Sequence, residues 1–117
     1  MVEKPSGLPF ELIKNEILGK TYDLSFSFIS SDESQKLNFK YRQKNEPTDI
    51  LSFPLSDKEG EIYIDLETSK KEMKKFDRKF ENFIGFLFIH GLVHLKGYNH
   101  GDEMEKEEIK YRILFNI

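Results

Sequence analysis

Residues 90–100 read His90-Gly91-Leu92-Val93-His94-Leu95-Lys96-Gly97-Tyr98-Asn99-His100, and this run holds all three histidines of the chain. It grows out of the most apolar stretch. Phe83, Ile84, Phe86, Leu87, Phe88, Ile89, Leu92, Val93 and Leu95 cover nearly every face of a helix, and a helix that is apolar all round is a buried one. Any fold of this chain must therefore wrap around that helix while leaving its C-terminal end open enough for polar side chains. His90 and His94 are four residues apart, on one helical face and about 6 Å apart along the axis, so both can offer an imidazole nitrogen to one ion. Gly97 tolerates the left-handed conformation that ends a helix and reverses the chain. The spacing thus predicts that His100 returns towards the first two. Three neutral imidazoles around a divalent ion leave one coordination position for water, the pattern of a catalytic zinc and not of a closed structural one. A lone histidine on an apolar helix is most often a hydrogen-bonded core residue. Three at this spacing, with a helix-ending glycine between the second and third, are harder to explain that way.

The 117 residues predict a single domain spanning 1–117 with a real core. There is no cysteine, which excludes disulfides and thiolate metal sites and fits a reducing compartment. The stretch Met1–Gly7 does not read as a signal peptide, and Phe83–Val93 is too short to span a bilayer. The expectation is a soluble, cytoplasmic protein. The formal net charge of −3 argues against a generic polyanion binder, so any nucleic-acid role must rest on local patches.

Taken in order, Leu8, Leu12, Ile13, Glu16 and Ile17 are spaced for one face of a helix that begins near Pro9 and ends at Gly19. Tyr22, Leu24, Phe26 and Phe28 alternate with polar residues, as in a half-buried strand to Ile29. Ser30 and Glu33 form a possible capping box opening a helix to about Gln43, with Leu37 and Tyr41 towards the core. Residues 45–48 are a turn. Ile50, Leu51 and Phe53 predict a short strand stopped at Pro54, and 61–66 a second strand, with a polar turn at 57–60 making an antiparallel hairpin. Residues 67–80 read as helical and carry Lys70, Lys71, Lys74, Lys75, Arg78 and Lys79. Most such basic runs are solvated surface; this one is also a candidate RNA-backbone contact if those side chains share a face, with no aromatic interleaving on that face strong enough to indicate base stacking. A last helix, 102–114, starts acidic and ends with Ile109, Ile113 and Leu114 at helical spacing. The pattern is α+β: a small mixed sheet with helices packed around a central buried helix that carries the metal motif.

The histidine run resembles the signature of the YbeY family of metal-dependent endoribonucleases, HGxLHLxGYDH. A second family signature is similar to Asn38-Phe39-Lys40-Tyr41-Arg42 followed by Pro47-Thr48-Asp49-Ile50-Leu51-Ser52-Phe53-Pro54, and a short third one to Gly60-Glu61-Ile62. The resemblance runs from about residue 8 to about residue 114. Val93 and Asn99 stand where the family has Leu and Asp, and Glu61 where it has Asp. The chain also lacks the family's first strand and most of its C-terminal tail, which implies a sheet one strand smaller. The resemblance implies His90, His94 and His100 as metal ligands and catalytic residues, and Arg42 as a catalytic residue in the cleft. It implies one zinc per chain, with other transition metals possible. It also implies single-strand-specific RNA cleavage in 3′-end maturation of small-subunit (16S) ribosomal RNA and in ribosome quality control, with the small ribosomal subunit and its associated factors as partners. No membrane partner is expected.

The chemistry of the residues agrees with that expectation. Three histidines without a carboxylate keep the site dipositive, which suits an anionic phosphodiester, and an arginine such as Arg42 can hold a phosphate through two parallel hydrogen bonds. The spacing also matches the metzincin-like protease motif HExxHxxGxxH, but Gly91 stands where the protease has its general base. A zinc metallopeptidase therefore remains a rival, as does a non-catalytic ribosome-assembly factor with a structural metal. Asp49 either orients a histidine ligand or, with Thr48, shapes the turn before the strand; the structural role is favoured. Tyr98 reads as a packing residue.

Overall fold

Helix α4 (Phe80–Leu95) is the axis of the molecule. The computed structural model describes residues 4, 5 and 7–117; Met1–Glu3 and Ser6, part of the stretch read as lacking a signal peptide, lie outside the described residues. Phe83, Ile84, Leu87, Phe88, Ile89, Leu92 and Val93 of α4 are buried all round its circumference, as a helix with no polar face must be. Helix α1 (Phe10–Leu18) lies against it through Ile13 and Ile17. Phe10 meets Phe88 edge-on at 5.0 Å, and Phe26 of strand β1 (Asp23–Ile29) approaches the same ring at 4.7 Å.

Against α4 lies a mixed three-stranded sheet of order β1-β3-β2. Strand β3 (Glu59–Asp65) is central, parallel to β1 and antiparallel to β2 (Ile50–Ser56). β1 alternates as its sequence predicts, with Leu24, Phe26 and Phe28 packed on the core and Asp23, Ser25 and Ser27 exposed. The β2–β3 hairpin also forms as expected. The strand does not stop at Pro54, however: Pro54 lies inside β2, opposite Gly60, where the register slips by a residue. β2 is an edge strand, and an edge with a bulge accommodates a residue that has no N–H to donate.

Helix α2 (Ser31–Arg42) starts at Ser30, whose Oγ accepts the Glu33 N–H at 3.1 Å, and ends at Gln43 in the left-handed conformation. Its inner face is not the predicted one. Tyr41 is 53% exposed, while Ser34 and Asn38 are buried. The reason is that α2 covers backbone and a carboxylate, so its inner face must supply donors. Ser34 Oγ donates to Asp65 at 2.7 Å, and Asn38 Nδ2 to the Glu46 carbonyl at 2.9 Å. Asp65 also accepts from Ser31 Oγ and from the N–H and Oγ1 of Thr68, which fastens α2 to helix α3 (Leu66–Glu72).

Three further expectations are corrected. The stretch 67–80 is not one helix. α3 gives way to a turn of 3-10 helix over Met73–Lys75, then Phe76 and Lys79 are extended. Lys70, Lys71, Lys74, Lys75 and Arg78 therefore do not share a helical face. In α1, Leu12 and Glu16 face solvent. In helix α5 (Asp102–Phe115), Ile109, Ile113 and Leu114 are exposed and the buried positions are Met104, Glu108 and Tyr111. No helix among the described residues is long and apolar enough to cross a membrane.

Candidate active site

The last two turns of α4 carry His90 and His94. Gly97, at φ 113°, turns the chain back with its N–H on the His94 carbonyl at 3.0 Å, a conformation that glycine adopts at little cost. His100 then returns over the helix end, its ring stacked on that of His90 at 5.5 Å. The sequence spacing predicted this return. Arg42, at the exposed end of α2, and the start of β2 close the other side. Arg42, Thr48, Asp49, Ile50, Ser52, His90, His94 and His100 line one cavity of about 200 Å³. All four sequence-predicted site residues, Arg42, His90, His94 and His100, meet there.

Two of the imidazoles are anchored from behind. His90 Nδ1 lies 2.9 Å from Glu108 Oε1. A carboxylate only accepts, so Nδ1 carries the proton, and in the neutral ring Nε2 keeps its lone pair. His94 Nδ1 lies 2.9 Å from Ser52 Oγ; where Nδ1 is the donor, Nε2 is again left as the acceptor. Bonds of this kind fix tautomer and ring orientation in metal-ligating histidines. Burial, and then the neighbouring His90, His100 and Arg42, hold the His94 pKa below the ordinary imidazole value, so the ring stays neutral to lower pH. Among the described residues no three His, Asp or Glu donors stand in coordinating geometry as they are. The donor chemistry nonetheless fits a transition ion: two imidazoles with their second nitrogens tied back and a third stacked beside them, and no thiolate.

Asp49 supplies the carboxyl of the cavity. Burial, opposed by backbone N–H bonds and reinforced by Glu72, raises its pKa above the usual carboxylate value. Its backbone carbonyl meanwhile accepts the Asp65 N–H at 3.0 Å, so the residue both shapes the strand entry and faces the histidines. Thr48 belongs to the turn, its Oγ1 donating to the Ile50 carbonyl at 3.4 Å. Tyr98 is half-buried against the core, as expected of a packing residue.

Glu108 and the contact made by Ser52 were missed by the sequence reading. Glu108 had a usable signal. It falls on the buried stripe Met104–Glu108–Tyr111 of α5, and a carboxylate on an apolar stripe needs a buried partner. Gly91 gains a second meaning. A Cβ there would stand 3.0 Å from the side chains of Ile50 and Ile62. The position after the first histidine is packed on the sheet, and a protease-type glutamate there would have to displace these isoleucine side chains.

Fold and site together define an α+β protein with a histidine-and-arginine cleft at the C-terminal end of its core helix. Residues 9–113 match the family model of the endoribonuclease YbeY. The chain is 39% identical to the endoribonuclease YbeY of Alkaliphilus metalliredigens over 78% of its own length and 66% of that protein. It is 40% identical to that of Mycoplasmopsis synoviae (85% and 72%) and 36% identical to that of Malacoplasma penetrans (97% and 81%). A solution structure of a Thermotoga maritima protein, 32% identical, superposes with a TM-score of 0.64 over 87% of this chain and 75% of the other. The chain belongs to the endoribonuclease YbeY family; it spans about two thirds of the A. metalliredigens relative.

Proposed function

We propose that this protein is a metal-dependent endoribonuclease that cuts single-stranded RNA and acts, in the cytoplasm and with the small ribosomal subunit as partner, in 3′-end maturation of small-subunit ribosomal RNA and in ribosome quality control. The observation that carries the reading is the convergence of His90, His94, His100 and Arg42 on one cavity in a chain whose relatives are named endoribonucleases.

His90 and His94 through Nε2, together with His100, would hold one zinc or similar transition ion. Such an ion supplies Lewis acidity towards a phosphoryl oxygen and lowers the pKa of water. Everything else falls to the chain. Glu108 and Ser52 hold the first two rings in position. Arg42 takes the scissile phosphate and stabilises the charge that develops on its oxygens. Asp49, with its raised pKa, is the group placed to hold or move a proton beside the histidines.

The test is cleavage of end-labelled RNA in single-stranded and duplex form by metal-loaded protein. Internal cuts in the single strand only, abolished by a chelator and restored by added metal, are expected. Cuts that survive complete removal of metal, or that fall equally in the duplex, would overturn the reading. A peptidase is disfavoured by the packing at Gly91.

A further inference from the structure

A second, larger cavity of about 450 Å³ adjoins the first and shares Asp49, Ile50, His90 and His100 with it. Its size lies in the ~300–1,000 Å³ range of small-molecule sites. Its walls are apolar, formed by Phe76, Phe86, Leu87 and Met104. Phe76 is 43% exposed although its ring packs on Phe83 at 5.1 Å and Phe86 at 5.3 Å. It is held in place from behind with part of its surface uncovered. This follows from the break in the helix after Lys75: Phe76 sits between Lys75 and Arg78, an aromatic inside the basic run. Two guanidiniums lie over the Phe86 ring, Arg78 at 4.6 Å and Arg112 at 5.0 Å. They are close enough that Arg112, after burial, contributes to lowering the Arg78 pKa. Arg112 already has a carboxylate partner in Glu108 at 3.8 Å, whereas Arg78 donates to the neutral Asn82, so the pair retains positive charge for a further anion. The polar lining of the cavity is mixed: Arg112, His90 and His100 stand beside Glu105 and Glu108, and Glu108 is engaged by His90 and Arg112. The exposed Glu105 carboxylate offers an acceptor to a neutral ring that has N–H donors on its edge.

We infer that this cavity is a nucleobase subsite: one unstacked base of the RNA strand, next to the cleaved bond, lies against Phe76, and a neighbouring backbone phosphate rests on Arg78 and Arg112. The inference rests on the ribonuclease reading above and deepens it. A single strand can splay a base into such a cavity and a duplex cannot, so the subsite would give the enzyme its strand preference. Met104 and Leu87, both buried in the core, form a fixed apolar floor beneath the inserted base.

The experiment uses a set of single-stranded RNAs in which one nucleotide at a time, on either side of the cut, is made abasic. The wild type is compared with Phe76→Leu, which keeps apolar packing on Phe83 but removes the aromatic face. Loss of a stacked base is expected to lower kcat/KM about tenfold or more, and at one position only. In Phe76→Leu the intact RNA should be cut correspondingly slowly, and the abasic change at that position should add little. Equal cleavage of every abasic RNA by the wild type would overturn the inference, as would a full abasic penalty in Phe76→Leu. Arg78→Ala provides a second reading that does not depend on cleavage. Its RNA affinity, measured by fluorescence anisotropy, should fall and the salt dependence should lose about one phosphate contact; an unchanged salt slope would remove the phosphate from the account. RNA cut without any positional effect overturns the subsite alone, whereas no cut in any RNA overturns the ribonuclease reading with it.

Discussion

Glu108 shows how one side chain can govern a site it does not enter. It is buried on α5, its Oε1 2.9 Å from His90 Nδ1 and 3.8 Å from Arg112. Replacing it with glutamine keeps the shape and an acceptor but removes the charge that makes His90 a better donor to a cation. Glu108→Gln should lower the affinity for the proposed ion by about 10- to 100-fold, as measured by chelator competition, with little change in the circular dichroism spectrum. Asp49 should behave in the opposite sense towards stability. Its carboxyl is held above the usual pKa by burial, so at neutral pH the folded protein carries a charge it would better carry unfolded. Asp49→Asn should therefore raise Tm at pH 7 while lowering kcat more than it changes KM. A lower Tm would mean that the carboxylate is needed by the fold. At this scale the sequence was legible where spacing alone sets geometry: His90, His94 and His100 converge because helix pitch and a positive-φ glycine require it. Their partners Ser52 and Glu108 were not, even though Glu108 stands out as a carboxylate on an apolar stripe, because each reaches its histidine from another element, and those separations are set by packing and not by local chain geometry.

At the level of elements, α4 was the most legible part of the chain; for α2 the span was legible but the inner face was not. Helix α4 advertises itself because burial on all sides leaves no polar face to misread. α2 presents Leu37 and Tyr41 at helical spacing, yet turns Ser34 and Asn38 inward because Asp65 and the Glu46 carbonyl need donors there. Apolar periodicity reports a greasy interface, and this interface is polar. Pro54 misled for a related reason: a strand-breaker in the middle of a sheet is harmless on an edge with a register slip. The seat of α4 on the sheet depends on Gly91, where a Cβ would press on Ile50 and Ile62 at 3.0 Å. Gly91→Ala should cost about 1–3 kcal/mol of stability by overpacking, read from urea denaturation. It should also reduce cleavage beyond that loss, because His90 and His94 sit on either side of the displaced turn. Wild-type stability in this variant would mean that the isoleucines yield freely and that the closeness of helix and sheet is not required.

Across the whole molecule, the cleft lies where the end of α4, the end of α2, the start of β2 and the face of α5 meet, so its charge state is linked to the stability of the fold. His94 has a native pKa below that of an unfolded imidazole. In the metal-free protein, the unfolded chain therefore binds more protons as pH falls below the ordinary imidazole value of 6.5. Its contribution to stability is fully present above that pH and is lost towards the depressed native value. His94→Gln should flatten the decline in Tm over that interval. The exposed Ile109, Ile113 and Leu114 of α5 show what sequence could not give at this scale: helical spacing marks an apolar stripe but not which side of the helix the rest of the molecule occupies. The proposed RNA-cleaving site joins the three histidines and Arg42. The most direct measurement is cleavage of a labelled single-stranded RNA by metal-loaded wild type beside His94→Ala and Arg42→Ala, each purified separately and folded by circular dichroism. Internal cuts by the wild type are expected, with a loss of at least about a hundredfold in both variants, the scale of removing one group that stabilises transition-state charge. Equal cleavage by all three proteins, or none by the wild type under any metal, would contradict this assignment.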